Sequence, residues 1–125
     1  MSVINLNSIR QAIGETGIEM GSADAGGMSV LSHRWPAGFD AKDLLAAAFG
    51  EQLCPVPHYF VVTRGRMTVS YTDGGPEETG GVGDVIYARP GHTIRALEAS
   101  DVVEISAADG TAYVNARIAA SGALG

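Results

Sequence analysis

The sequence predicts an all-β domain in which two antiparallel sheets pack into a sandwich or barrel, accompanied by one or two short helices. After residue 50 the chain consists of short β-branched segments separated by turn residues, which is typical of such folds. Glycine makes up 17 of the 125 residues, about twice its usual share of ~7%. The pair Asp73-Gly74 is a hairpin signal because both residues tolerate positive φ. A chain of 125 residues suits a single domain.

Residues 1–27 are expected to form an N-terminal arm ahead of the barrel. Residues 7–14 are predicted to be a short helix, with Asn7 as its N-cap and Gly14 as its C-terminal stop. The glycine-rich residues 21–27 are predicted to be a link to the first strand.

The barrel itself is predicted to span residues 28–118, with residues 119–125 as a C-terminal tail. Residues 40–49 have the strongest helical pattern, because leucine and alanine favour a helix and Gly50 can end it. Asp40 is the expected N-cap of this helix. The predicted strands are residues 28–35, 58–64, 66–71, 84–88, 93–97, 102–106 and 112–118.

Charge and composition exclude several classes of partner. The net charge is −6, and the eight lysines and arginines are scattered, so a nucleic-acid-binding surface is not expected. No apolar run approaches the roughly 18 residues that cross a bilayer, and the N-terminus lacks a signal-peptide pattern. The single cysteine, Cys54, cannot form an internal disulfide. These features favour a cytoplasmic protein.

Two segments of the chain resemble the two motifs of the cupin superfamily, namely residues 57–69 (PHYFVVTRGRMTV) and 83–92 (GDVIYARPGH). The shared landmarks are the turn at Gly65, the opening Gly83-Asp84 and the loop Pro90-Gly91. With flanking strands the resemblance covers roughly residues 28–107. It implies an antiparallel β-barrel of jelly-roll type with a functional pocket inside the barrel mouth.

The chain departs from the usual cupin metal pattern, His-x-His-x-x-x-Glu followed by a histidine in the second motif. Counting back from the turn, His58 takes the place of the glutamate, while Cys54 and Gln52 take the places of the two histidines. Ile94 occupies the second-motif position, and His92 lies two residues before it. The combination Cys-Pro-x-Pro-His with Pro-Gly-His-Thr is similar to a small subgroup of bacterial cupins for which the resemblance implies no particular reaction.

Cys54, His58 and His92 are the candidate metal ligands, since thiolate and imidazole are preferred by zinc and also suit iron. In an extended chain, Cys54 and His58 would be about 13 Å apart at ~3.3 Å per residue, so the prolines between them must bend the chain. His92 shares its strand parity with Ile94 and therefore also points inward. Gln52 is a weak candidate for a fourth ligand, and water is an equal one.

Other residues have less specific expected roles. His33 is expected to be a partly exposed strand histidine and Glu104 a surface residue. The pocket lining or, alternatively, the hydrophobic core is expected to contain Trp35, Tyr59, Phe60, Met67, Tyr87 and Ile94.

The sequence thus favours a metal-binding cupin that binds or acts on a small organic molecule. A metal-free small-molecule binding or sensor domain is the alternative, and a purely structural dimer module would leave the cysteine and histidines without a role. The sequence contains no motif of a serine hydrolase or a nucleotide-binding enzyme. It therefore identifies no catalytic residue and does not decide whether the protein is an enzyme. A homodimer is expected, because cupins commonly dimerise and a small barrel has edge strands to cover.

Overall fold

A computed structural model describes residues 3–123 of the protein. In this range the strands are β1 Gln11–Ala12, β2 Glu19–Ala25, β3 Met28–Trp35, β4 His58–Arg64, β5 Arg66–Tyr71, β6 Glu78–Gly81, β7 Val85–Ala88, β8 His92–Ala96 and β9 Ser100–Ala107. The helices are α1 Leu6–Ile9, α2 Lys42–Phe49 and α3 Ala108–Ser121, with a 3₁₀ turn at Gly50–Gln52.

The strands form two antiparallel sheets. The six-stranded sheet has the order β1-β2-β3-β9-β4-β7, and the three-stranded sheet has the order β6-β5-β8. Inward-facing side chains from both sheets make one buried cluster, to which Phe60 and Val102 contribute from the first sheet and Met67 and Val69 from the second. The predicted fold class, a mostly antiparallel β-domain with a few short helices, is confirmed.

The predicted strands of the two motif regions agree well with those observed. The ranges 28–35, 58–64 and 66–71 coincide with β3, β4 and β5, and three others agree with β7, β8 and β9 within two residues. Between β4 and β5, Gly65 has φ 79°, and a Cβ there would lie 2.3 Å from the carbonyl oxygen of Ala99. Glycine is therefore required at this turn by both conformation and space.

The N-terminal arm contains a strand where a link was expected. Residues 21–25 belong to β2, which pairs with β3 along its whole length. A Cβ on Gly21 would lie 1.6 Å from the carbonyl oxygen of Ile9, so this glycine allows a close approach of two backbone segments rather than flexibility. The first helix is also shorter than predicted, and Asn5 caps it in place of Asn7 by accepting hydrogen bonds from the amides of Asn7 and Ser8.

The predicted strand at residues 112–118 is wrong, because this segment lies inside α3. Its valine and isoleucine are four residues apart, and Val114 and Ile118 pack together on one helix face against the core. Asp109 lies in the first turn and Gly122 ends the helix in the left-handed conformation. The expected tail is helical as far as Ser121, and residues 124–125 lie outside the described range.

Helix α2 begins two residues later than predicted and ends as expected at Gly50, which has φ 73°. The Asp40 side chain accepts a hydrogen bond of 2.9 Å from the amide of Lys42. Helices α2 and α3 lie side by side and both border the cavity described below. No helix within residues 3–123 has the length and apolarity required to cross a membrane.

Candidate metal centre

A cavity of about 300 Å³ lies between the six-stranded sheet and helices α2 and α3. Cys54, His58 and His92 all line it, and none of them is more than 4% exposed. Most of the other lining side chains are apolar. The candidate ligands therefore lie at the deep end of an apolar pocket, as expected for a small-molecule site.

The chain bends sharply between Cys54 and His58. Leu53 takes a left-handed conformation with φ 57°, and Cys54 then pairs with His92 through a hydrogen bond of 3.0 Å from its amide to the His92 carbonyl oxygen. The amide of Gly91 donates in turn to the Cys54 carbonyl oxygen. This bend reduces the distance from Cys54 Sγ to His58 Nε2 to 3.3 Å, so the thiol and the imidazole share one site.

His92 completes the cluster from the start of β8. Its Nδ1 lies 2.8 Å from the backbone carbonyl oxygen of Arg89 and donates a hydrogen bond to it, which leaves Nε2 free to act as a ligand. One donor atom from each of Cys54, His58 and His92 lies within 4.8 Å of the other two. Three donors this close, all buried, are the arrangement that a single ion requires.

Glu104 lies behind this cluster, which corrects its expected place on the surface. Glu104 is 9% exposed. Its Oε1 lies 2.8 Å from Nε2 of His33, and its Oε2 lies 3.0 Å from Nδ1 of His58. The Glu104–His58 contact is an ion pair rather than a well-directed hydrogen bond, because Nδ1 of His58 has no aligned acceptor. His33, 7% exposed, is likewise buried and not partly exposed as expected.

Strand parity explains why Glu104 was misplaced. Both faces of β9 carry apolar residues, so the alternation of Glu104 with Val103 and Ile105 does not reveal which face is inside. Glu104 shares the inner face with Val102, which is 1% exposed. Glu104 pairs with Phe60 of β4, and this register places the Glu104 side chain on the inner face of the sheet. The pairing between the two strands is the information that the sequence alone lacks.

The buried groups shift one another's pKa strongly. Burial alone would raise the pKa of the Cys54 thiol, but hydrogen bonds from His58 and His92 lower it to about 6. Burial alone would lower the pKa of His58, but contact with Cys54 and Glu104 raises it to about 9. Burial would likewise raise the pKa of Glu104, yet the two histidines hold it far below its usual range. These shifts favour a thiolate–imidazolium pair backed by a carboxylate near neutral pH.

The remaining predicted residues divide between the cavity and other places. Trp35, Phe60 and Ile94 line the cavity, whereas Met67 is fully buried in the core between the sheets. Tyr59 and Tyr87 are about half exposed and lie against each other on the outer face, 5.1 Å between ring centroids. They alternate with inward residues along β4 and β7, which corrects the expectation that they line the pocket. Gln52 is exposed in the 3₁₀ turn and does not line the cavity.

Two kinds of chemistry use such a cluster. In the first, a cysteine nucleophile is activated by a histidine that a carboxylate holds in place, and Cys54, His58 and Glu104 follow this sequence of contacts. In the second, Cys54 and His58 are metal ligands, and Glu104 is the carboxylate that orients the histidine ligand. His92 distinguishes them, because its free Nε2 faces the same point and a thiol nucleophile with its own base does not require it. The donor set therefore fits a metal ion better.

The fold is similar to that of several solved structures, which include proteins of the cupin superfamily. It matches KdgF from Halomonas sp. with a TM-score of 0.56 at 18% identity, over 83% of this chain and 91% of that one. It matches a protein of unknown function from Rhizobium leguminosarum bv. viciae with a TM-score of 0.61 at 19% identity, over 86% and 95%. It also matches an RmlC-like cupin from Shewanella frigidimarina with a TM-score of 0.56 at 12% identity, over 78% and 81%.

Neither protein-family models nor curated proteins match the sequence. The structural matches establish that the chain has the cupin fold. At identities of 12%, 18% and 19% they show the fold and nothing about function.

Proposed function

We propose that this cupin-fold protein binds a divalent transition metal, zinc or iron, through Cys54, His58 and His92, and that the site binds or acts on a small organic molecule in the cavity. The observation that supports this most strongly is the convergence of three buried donor atoms within 4.8 Å of one another. One thiolate and two imidazoles form a donor set that suits both metals.

The protein groups around the site fit this role. The Arg89 carbonyl oxygen holds the His92 ring with Nε2 directed to the cluster, and Glu104 holds the His58 ring from behind. A hydrogen bond like that of His92 fixes the tautomer and direction of a ligand histidine, and the ion pair keeps a carboxylate beside Nδ1 of His58. When bound, a metal with three protein ligands and an open position supplies Lewis acidity to a substrate oxygen or to water. Gln52 is too exposed to be the fourth ligand in this arrangement.

A metal-free binding or sensor domain is the second candidate function. It is favoured by the cavity itself, which is enclosed largely by apolar side chains and would hold a small ligand without a metal. In either case the free thiol of Cys54 favours a reducing compartment, and we propose a cytoplasmic location.

Elemental analysis separates the two functions. We expect the untagged wild type, reconstituted anaerobically with Zn²⁺ or Fe²⁺, to hold one ion per chain. Replacing a ligand (C54A, H58A or H92A) is expected to reduce affinity for the ion by a factor of roughly 100 or more, since each removes one of three protein donors. The H33A variant is the matched control and should still bind one ion at saturation, because His33 faces Glu104 and not the cluster.

Each variant must first have a wild-type far-UV circular dichroism spectrum. A wild type without stoichiometric metal after reconstitution would contradict the metal proposal and leave the metal-free binding domain in its place.

We also propose a homodimer formed at the outer face of β4 and β7. Among the strands of residues 3–123, β7 lies at the edge of the six-stranded sheet and pairs with β4. Next to this edge Tyr59, Val85 and Tyr87 are 49%, 61% and 48% exposed. An unpaired edge beside exposed apolar side chains is a surface that proteins usually cover.

Light scattering tests this assembly. The wild type is expected to have twice the chain mass of 12.9 kDa, and V85K is expected to shift the protein to monomer because a charge would be buried at the contact. Leu97, 42% exposed, follows β8 of the three-stranded sheet and provides the matched control L97K, which should stay dimeric. A wild type that is monomeric at working concentrations would argue against the dimer.

A further inference from the structure

Beyond the histidines and Cys54, the cavity walls carry a single charged side chain within residues 3–123. Among residues 3–123, no lysine or arginine lines the cavity, and Glu104 is the one carboxylate that does. Arg117 on α3 is turned away, because its guanidinium donates hydrogen bonds to the carbonyl oxygen of Ala48 and stacks near Phe49. An anionic ligand would therefore find no lysine or arginine to pair with, and the charge of His58 is already opposed by Cys54 and Glu104.

A bound metal would leave little net charge at the site. A divalent ion bound by the Cys54 thiolate and two neutral imidazoles keeps one positive charge, which the buried Glu104 carboxylate behind His58 balances. Without the metal, Glu104 is still the one carboxylate in the wall, and no lysine or arginine within residues 3–123 opposes it there. In both states, no lysine or arginine offsets the desolvation cost of moving a carboxylate or phosphate from water into this cavity.

The rest of the wall is suited to an apolar body. Leu44 and Leu45 from α2, Val114 and Ile118 from α3, and Trp35 and Phe60 from the sheet enclose the space above the cluster. The volume of about 300 Å³ is at the lower end of ligand pockets, so it suits one ring with a short substituent. The exposed Asn115 stands at the rim as a neutral polar group.

We propose that the ligand of this cavity is a neutral, mostly apolar molecule of about one ring, carrying a single uncharged oxygen donor such as a carbonyl or hydroxyl that reaches the Cys54/His58/His92 cluster. This inference deepens the proposed function and rests on it for the oxygen donor. The neutral, apolar character rests on the cavity walls alone and holds for the metal-free domain as well.

Benzamide and benzoate test the charge, since they have the same size and shape and differ in one ionised group. Binding of each is measured by NMR titration to the zinc-reconstituted protein and to protein freed of metal by chelation. We expect benzamide to bind at least about tenfold more tightly than benzoate in both forms. Equal binding of the two, or tighter binding of benzoate, would overturn the proposal.

Cavity-filling variants test the place of binding. V114W and L44W each put a large ring into the cavity from a different helix and are expected to reduce benzamide affinity at least about tenfold. Val82 is 69% exposed in the turn before β7 and gives the control V82W, which should bind as wild type. Undiminished benzamide binding by a folded V114W or L44W would show that the probe binds elsewhere and would overturn the proposal.

These outcomes are separate from the test of the metal. Protein that holds no metal but prefers benzamide would refute the metal centre and support the ligand class. Protein that holds one metal ion but prefers benzoate would support the metal centre and refute the ligand class.

Discussion

Replacing Glu104 with glutamine is expected to weaken metal binding by about 10- to 100-fold, although Glu104 is not itself a ligand. The carboxylate lies 3.0 Å from Nδ1 of His58 and 2.8 Å from Nε2 of His33. It orients the His58 ring and strengthens its Nε2 as a donor, and a neutral amide of the same shape does this less well. Competition with a chromophoric zinc chelator measures the effect. The matched control E98Q changes an exposed glutamate and should leave affinity unchanged.

The same substitution has a pH signature in the metal-free protein. The pKa of Glu104 is lowered on folding, so its contribution to stability is present above the unfolded value of about 4.3 and is lost as pH falls. The pKa of His58 is raised to about 9, so its contribution is complete below about pH 6.5 and is lost as pH rises. The excess free energy of unfolding of wild type over E104Q should therefore be largest between about pH 4.3 and 6.5.

A purely space-filling role for Glu104 predicts a different outcome. E104Q would then match wild type in zinc affinity, and the difference in free energy of unfolding would be independent of pH.

The central strands were predictable from sequence because local and tertiary signals agree there. In β4 and β5, the β-branched residues and the Gly65 turn indicate two strands joined by a tight turn, and the observed bounds equal the predicted ones. The two strands belong to different sheets. The motif spacing then identified the inward positions Cys54, His58 and His92, which the structure brings together.

The predictions fail where a local sequence pattern is compatible with two different structures. The segment containing Tyr113, Val114 and Ile118 has strand-like composition, yet its apolar residues also repeat at helical spacing, and docking of α3 beside α2 decides for the helix. The place of Glu104 depends on the pairing of β9 with β3 and β4, which no single segment encodes. Gly21 was predicted to lie in a link and not in a strand, because a sequence does not show the Ile9 backbone packed against it.

The Cys54–His58 contact was permitted by sequence but not determined by it. Two prolines between these residues make a bend possible, whereas its direction is set by the left-handed Leu53 and by the pairing of Cys54 with His92. Both depend on the folded barrel. The ligand set could therefore be proposed from the motif positions, and its geometry could not.

Zinc affinity is expected to rise about tenfold for each pH unit between about 6 and 9 and to level off above that range. In the free site, His58 holds a proton up to a pKa of about 9 because of contact with Cys54 and Glu104, which outweighs its burial. Cys54, with a pKa of about 6, is already a thiolate over most of the range. Zinc must displace the His58 proton to use Nε2, so lower pH favours the free site.

Calorimetry in two buffers of different ionisation enthalpy should accordingly find about one proton released per zinc near pH 7.5. An ordinary exposed Cys/His site would behave differently, because its thiol, with a free pKa of about 8.5, would release the proton and its histidines would already be neutral. The ultraviolet absorbance of the thiolate in metal-free wild type separates the two cases, because Cys54 should titrate with a pKa of about 6. A thiolate that forms only near the free value of about 8.5, or zinc affinity independent of pH between about 6 and 9, would rule out the thiolate–imidazolium state as the one that zinc meets.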